Sequence, residues 1–341
     1  MNQTTLTPLL DVKNLCVEFK TDKGIARAIN EVSFSVYPGE TLAIVGESGC
    51  GKSVTSLAVM GLIPSPPGTI AGGSIQFQGQ ELVGLTEKQY RNIRGNDISM
   101  IFQEPMTALN PVLKINTQMI DVLRNHNDIS RKEAKQRAIE MLRTVGIPAP
   151  EKRINDYPHH LSGGMRQRVM IAMALSCHPA LLLADEPTTA LDVTIQAQVM
   201  QEIVRLKDEM NMSVVLVTHD LGVVAESCDR VVVMYCGEVV EQGSVEAIFA
   251  APQHPYTRGL LASIPVVREE KIAQLPTIEG MVPDLFHLPR GCRFADRCPK
   301  ASDQCQEQSP TLEHVASRQP LNDTTFSHHQ VACFHLEESV A

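Results

Sequence analysis

No uninterrupted apolar run in the 341 residues approaches the roughly 20 that cross a bilayer as a helix, so no membrane span is expected. The longest candidates, residues 169–175 and 231–236, have the length of buried core segments. A secretory leader is missing too: Asp11, Lys13 and Glu18 interrupt the opening segment, which has no apolar h-region, and a cytosolic chain is expected. Positive charge is not in excess. Thirty Lys and Arg stand against 39 Asp and Glu, a formal net charge of −9, which argues against a general binder of phosphate backbones. Local basic patches are compatible with that balance. No tandem repeat is visible. With 43% hydrophobic and 20% charged residues, disorder of the whole chain is excluded, and the length suggests about two domains.

Cysteine is present in an odd number, nine. Five are scattered through core-like segments and read as small buried hydrophobes in a reducing compartment. The other four fall between Cys292 and Cys333, where uniform placement would put about one, so that tail needs its own explanation.

Residues 9–19 and 26–36 alternate as strands, and Pro38-Gly39 makes a turn. Residues 41–45 form a short apolar strand that leads into a glycine-rich loop and an apolar helix over 52–62. Residues 74–77 and 98–102 read as further strands. From 116 to 146 the period becomes helical; Ser130 with Glu133 is a capping-box signature, and Gly146 before Pro148 is a stop. A second glycine turn after His160 opens a helix to Cys177. Strands at 180–184, 214–218 and 230–235 then alternate with helices at 194–210 and 221–227, and Cys236-Gly237 closes a hairpin to 238–242. Such alternation implies an α/β fold with a mostly parallel sheet covered on both faces. The helical stretch from about 105 to 175 reads as an inserted subdomain, and beyond Pro265 the chain becomes a proline-punctuated tail.

Gly46-Glu47-Ser48-Gly49-Cys50-Gly51-Lys52-Ser53 fits G-x-x-x-x-G-K-[ST], with a strand before it and a helix after it. Glycines let several N–H groups converge on one anion, and the helix N-terminus adds positive potential. Lys52 supplies a point charge to the β- and γ-phosphates, and the Ser53 hydroxyl suits Mg²⁺. Cys50 lies inside the loop, so nucleotide binding is expected to be sensitive to thiol alkylation. The strand at 180–184 runs into Asp185-Glu186, which puts Asp185 where it can hold the metal and Glu186 where it can polarise an attacking water. The two motifs together point to an ATP hydrolase. Leu161-Ser162-Gly163-Gly164-Met165-Arg166-Gln167-Arg168 opens the second glycine-started helix and offers another anion site.

Read in order, these motifs with Gln103, Ala190-Leu191-Asp192 and His219 resemble the motif set of the ABC-transporter ATPases. The resemblance implies a P-loop NTPase fold of the ABC type: a RecA-like core with an antiparallel β subdomain and an α-helical subdomain, plus a loop-rich C-terminal extension. It implies an ATPase domain over residues 1–263, with the helical subdomain at about 105–175, and the extension over 264–341. It also implies roles. Gly46, Ser48, Gly49, Cys50, Gly51, Lys52 and Ser53 hold ATP, and Mg²⁺ is held through Ser53, Gln103 and Asp185. Glu186 is the catalytic glutamate, Gln103 the Q-loop residue and His219 the switch histidine. Ser162, Gly163 and Gly164 cap the γ-phosphate across a dimer seam near Asp192. Phe19 is the candidate to stack on adenine. Met165 departs from the glutamine common at that position, at little cost to an anion site built from Ser162 and backbone groups.

The likeness narrows over most of the chain. Gly46-Glu47-Ser48-Gly49, Met106-Thr107-Ala108-Leu109-Asn110-Pro111, Glu186 through Thr194, and His254-Pro255-Tyr256-Thr257-Arg258 are similar to the ATPase subunits of bacterial dipeptide and oligopeptide permeases, the D-type subunit in particular. That resemblance implies a heterodimer with a paralogous ATPase, two membrane permeases, an external peptide-binding protein, no nucleic acid, and a peripheral place on the cytoplasmic face of the inner membrane. Close relatives serve nickel, glutathione, cationic-peptide and haem-precursor uptake. A soluble ABC ATPase acting on ribosomes or DNA is the contrasting reading, but it usually carries two cassettes or a long coiled coil. For Cys292, Cys298, Cys305 and Cys333, iron–sulfur, zinc and unliganded thiols all stay open on spacing. Close C-x2-C pairs are absent, and similar permease tails imply a [4Fe–4S] cluster with a structural or regulatory role.

Overall fold

The computed structural model describes residues 7–103, 108–188, 193–264, 277–315 and 329–336. Its strands are β1 (Leu10–Thr21), β2 (Gly24–Val36), β3 (Thr41–Val45), β4 (Gly68–Phe77), β5 (Gln80–Glu81), β6 (Ile98–Ile101), β7 (Leu181–Asp185), β8 (Ser213–Val217), β9 (Arg230–Tyr235), β10 (Glu238–Ser244), β11 (Glu313–His314) and β12 (Gln330–Val331). The chain divides into two compact units, Met1–Tyr37 with Leu42–Val83 and Thr218–Ala341, and Pro38–Thr41 with Gly84–Val217.

In the first unit β1 pairs antiparallel with β2 and with β4, and β5 extends β4. Leu10, Val12, Leu15 and Val17 of β1 are buried, and the register shifts after Val12 and after Leu15, so the buried set changes parity partway along the strand. β4 begins at Gly68, six residues before the pattern predicts. Gly-Thr-Ile-Ala-Gly-Gly has little strand propensity, and pairing with β1 imposes the extended form. β3 runs parallel to β9, β9 antiparallel to β10, and the tail contributes β12 and β11 beyond β10. The core of this unit gathers Ala43, Val45, Val231, Val233 and Ile248 around Tyr235, Tyr256 and Phe294. Phe294 thus makes the loop-rich tail part of this core. Its ring centroid is 5.2 Å from that of Tyr235 and 5.5 Å from that of Tyr256.

In the second unit β6, β7 and β8 are parallel, and every residue of β7 and β8 is buried. This is the pattern of strands covered on both faces. The predicted helical region contains helices at Ile115–His126, Arg131–Thr144 and Gly163–Leu175. Ser130 caps the second by accepting the Glu133 N–H at 3.2 Å. The reciprocal half of a capping box is replaced by a Glu133–Arg137 pair at 2.9 Å. Gly146, at φ +73°, ends that helix: its N–H reaches the Arg143 carbonyl, and the Ile147 N–H reaches Leu142. Among the described residues no helix is long and apolar enough to cross a membrane.

Candidate functional site

β3 is buried throughout and ends at Val45, where the glycine loop begins. Gly51 sits at φ +101°, and a Cβ there would stand 2.6 Å from Ile29 Cδ1 and 2.9 Å from the Ala28 carbonyl, so only glycine fits. The helix Lys52–Val59 starts at once, and its first-turn amides and dipole favour an anion. Lys52 is 6% exposed and donates Nζ to the carbonyls of Gly46 at 2.7 Å and Glu47 at 3.1 Å. Ser48 and Gly49 are exposed at the rim, and Ser53 is half-buried in the first helical turn. Cys50 is buried, its Sγ 3.8 Å from Lys52 Nζ. Burial pushes the thiol up, and the Lys52 charge only partly opposes that. The thiol whose alkylation is expected to disturb nucleotide binding is thus covered, and its environment favours the neutral form. His219 is exposed and shares a cavity of about 340 Å³ with Val45, Gly46, Glu47, Asp220 and Leu260, so the structure brings it beside the start of the loop. Phe19 is half-buried on β1, packed against Gly68: a Cβ on that glycine would lie 2.8 Å from its ring.

In the second unit, β7 delivers Asp185, 4% exposed, at its carboxyl end. Glu186 follows in the left-handed region at φ +46°, its N–H bonded to the Val217 carbonyl at 2.9 Å. Its Oε2 accepts a hydrogen bond from Gln103 Nε2 at 3.0 Å. Register explains the meeting. Ile101 of β6 stands opposite Ala184 of β7, so two residues further on Gln103 faces Glu186. Ser162 caps the helix Gly163–Leu175 by accepting the Met165 N–H at 3.3 Å. Nothing lies within 4 Å of where a Gly163 Cβ would be, which leaves the helix start open to a ligand. Gln167 is fully buried and its side-chain amide donates to the Pro187 carbonyl. Asp192 lies outside the described residues.

Sequence reasoning missed the residues that hold the phosphate loop from behind. His254 is 1% exposed, and its Nδ1 accepts the Tyr256 N–H at 3.1 Å, starting the helix Pro255–Ala262. Burial pushes its imidazole down to about 4, with the Glu241 carboxylate opposing the shift. Tyr256 Oη then accepts the Glu47 N–H at 2.8 Å. From the tail, Arg297 clasps the Glu47 carboxylate with Nη1 at 2.7 Å and Nη2 at 3.1 Å. Arg293 pairs with Glu238 at 2.9 Å and donates to the Cys236 carbonyl. The next residue, Gly237, donates its N–H to the Cys50 carbonyl at 2.9 Å. Two sequence signals touch them: Arg293 and Arg297 adjoin Cys292 and Cys298, and His254 through Arg258 forms part of the family resemblance.

Those cysteines are neighbours of Cys305 and Cys333. Burial pushes the Cys292 thiol up to about 11, and the other three thiols add to the shift. Cys298 Sγ accepts the Lys300 N–H at 3.4 Å, and Cys333 Sγ accepts the His335 N–H at 3.4 Å. Even so, among the described residues no group of three or more His, Cys, Asp or Glu side chains is placed to hold a metal ion. The expected iron–sulfur cluster is thus not supported. The fold brings the thiols into one neighbourhood without framing such a group among the described residues, and burial pushes those of Cys292, Cys298 and Cys333 up.

A family model described as "ABC transporter" matches residues 29–189, and one described as "Oligopeptide/dipeptide transporter, C-terminal region" matches residues 240–305. The chain is 53% identical to the oligopeptide transport ATP-binding protein AppD of Bacillus subtilis, over 98% of this chain and 99% of that one. It is 48% identical to the dipeptide transport ATP-binding protein DppD of Escherichia coli, over 90% and 94%. Among solved structures it is similar to a dimeric post-hydrolysis ATP-binding cassette, MJ0796, bound to ADP and Pi. That match has a TM-score of 0.62 and 30% identity, over 69% of this chain and 98% of that one. CbiO1 from Clostridium perfringens, part of a cbiONQ transporter complex, aligns with a TM-score of 0.60 and 28% identity, over 71% and 91%.

Proposed function

The chain belongs to the ATP-binding subunits of the oligopeptide and dipeptide permeases, ABC transporters with the cassette fold, and from that premise we propose how its residues use ATP. It is the ATPase of a peptide importer and couples hydrolysis to uptake. The loop from Gly46 to Ser53 takes the phosphates of ATP, with Lys52 turning from its carbonyl partners to the β- and γ-phosphates. Ser53, Gln103 and Asp185 are the Mg²⁺ holders. A hydroxyl, an amide oxygen and a carboxylate are hard oxygen donors of the kind this ion takes, and when bound there it would neutralise charge on the phosphates. Glu186 is the general base, and His219 contacts the γ-phosphate from beside Gly46. Phe19 stacks on adenine.

The observation that carries this reading is the Gln103–Glu186 hydrogen bond at 3.0 Å. A side chain on the segment that leads into the helical insert holds the carboxylate that would activate water. Any docking event that moves that segment changes the base. Exposed Phe102, Val112 and Leu113 on the same segment, with Val112 76% exposed, suit permease coupling helices. One phosphate loop and one Ser162–Gly163–Gly164 cap in the chain favour a dimer with a paralogous ATPase, ATP being gripped by the loop of one subunit and the cap of the other. Two permeases and an external peptide-binding protein complete the assembly, with this subunit peripheral on the cytoplasmic face of the inner membrane. Residues 1–263 form the nucleotide-binding domain, with the helical subdomain at about 105–175, and 264–341 the extension.

Glu186→Gln tests the assignment. Turnover should fall by about 10²-fold or more, the usual worth of a general base, while an ATP-retaining dimer accumulates in size-exclusion chromatography with light scattering. Unchanged turnover removes Glu186 from the role.

A further inference from the structure

We propose that Arg297 and Arg293 of the C-terminal extension are positioning residues for the phosphate loop, so that the extension sets the affinity for ATP. The proposal rests on the nucleotide-site reading above. Glu47, the second residue of the loop, is tied through three groups. Its N–H donates to Tyr256 Oη, its carbonyl accepts Lys52 Nζ, and its carboxylate takes both arms of the Arg297 fork. Arg297 is itself fixed. Its side chain is 4% exposed, Nε donates to the Glu279 carbonyl at 3.0 Å, and its guanidinium lies 5.7 Å from the Tyr235 ring centroid and 5.8 Å from that of Phe294. A bidentate, charge-assisted pair whose arginine is buried and whose carboxylate is half-buried fixes geometry as well as adding stability.

Arg293 secures a second point. It holds the Cys236 carbonyl and Glu238, while the Gly237 N–H holds the Cys50 carbonyl. Removing the Arg297 fork frees the residue whose carbonyl orients Lys52, and the converging amides lose their common centre. An ion pair of purely structural use would change stability alone. This one ends on the loop that takes the triphosphate, so its loss should appear as ATP affinity.

The full-length chain decides between these. Binding of a fluorescent ATP analogue with Mg²⁺ and steady-state hydrolysis are measured for Arg297→Gln, Arg297→Lys, Glu47→Gln and the Arg297→Gln/Glu47→Gln double variant. Kd and KM should rise by about ten-fold in Arg297→Gln, with kcat within about two-fold. Lysine should recover part of the loss, and the double variant should be no worse than either single change. Arg293→Gln should give a smaller rise, because it acts through the turn. A lower melting temperature with Kd and KM within about two-fold of the parent overturns the proposal, as does strict additivity in the double variant. If Arg297→Gln does not fold, Glu47→Gln approaches the same pair from the loop and is judged by the same criterion. Failure of the parent chain to bind ATP would instead overturn the nucleotide-site reading itself.

Discussion

Acidification should destabilise the first unit through His254. The imidazole is 1% exposed, accepts the Tyr256 N–H through Nδ1, and is pushed down to about 4 by burial. In the unfolded chain its ordinary value is 6.5. A depressed histidine contributes stability that is fully present above 6.5 and is lost as pH falls through 4, because the unfolded state binds the proton first. The full window is worth about 3 kcal/mol, and the part between pH 7.5 and 5.5 about 1.3 kcal/mol. Glu241 bears on the result as the fully buried carboxylate that accepts the N–H groups of Gln253 and His254 and pairs with His329 at 2.7 Å. The chain contains no tryptophan and five tyrosines, two of them Tyr235 and Tyr256 of this core, so tyrosine emission during urea unfolding is a direct probe. Stability measured at pH 7.5, 6.5 and 5.5 is compared with that of His254→Asn, which retains a cap acceptor but has nothing to titrate. The wild-type loss between pH 7.5 and 5.5 should exceed the variant's by about 1 kcal/mol. Parallel pH profiles for the two proteins would refute the burial argument.

Gly51→Ala should cost about 2 kcal/mol and nearly abolish nucleotide binding, since its Cβ meets the Ala28 carbonyl at a strained φ; calorimetry and analogue binding check both. At pH 7.5 Cys50 should be among the last cysteines labelled by N-ethylmaleimide, as followed by peptide mass spectrometry, and early labelling would contradict its burial. Ser162→Ala should destabilise the helix Gly163–Leu175 by about 1 kcal/mol and weaken ATP-dependent dimerisation; amide exchange over that helix and light scattering report the two effects.

Much of the site is legible in the sequence, because its parts are local. A glycine loop between a strand and a helix, a second glycine turn that opens a helix after Ser162, and an apolar strand running into Asp185-Glu186 are contiguous instructions, and each appears where the pattern puts it. The tail was harder. Its four cysteines suggest a metal that the described side chains do not frame, while the adjacent arginines, which no motif marks, reach the loop and the turn beside it. His254 through Arg258 was noticed only as a family resemblance. Its physical use, a buried neutral cap that aims Tyr256 at Glu47, depends on burial that no local pattern reports.

The amino-acid order alone determined the family, the phosphate loop and the two carboxylates, since backbone dihedrals and hydrogen bonds between residues a few positions apart specify such features wherever they occur. Tertiary structure decided which distant groups steady them. Strand register brings Gln103 to Glu186, 83 positions away, and core packing carries Arg297 to Glu47 across 250. Pairings at that separation follow from how sheets align and where apolar rings collect, and that is a property of the folded chain as a whole.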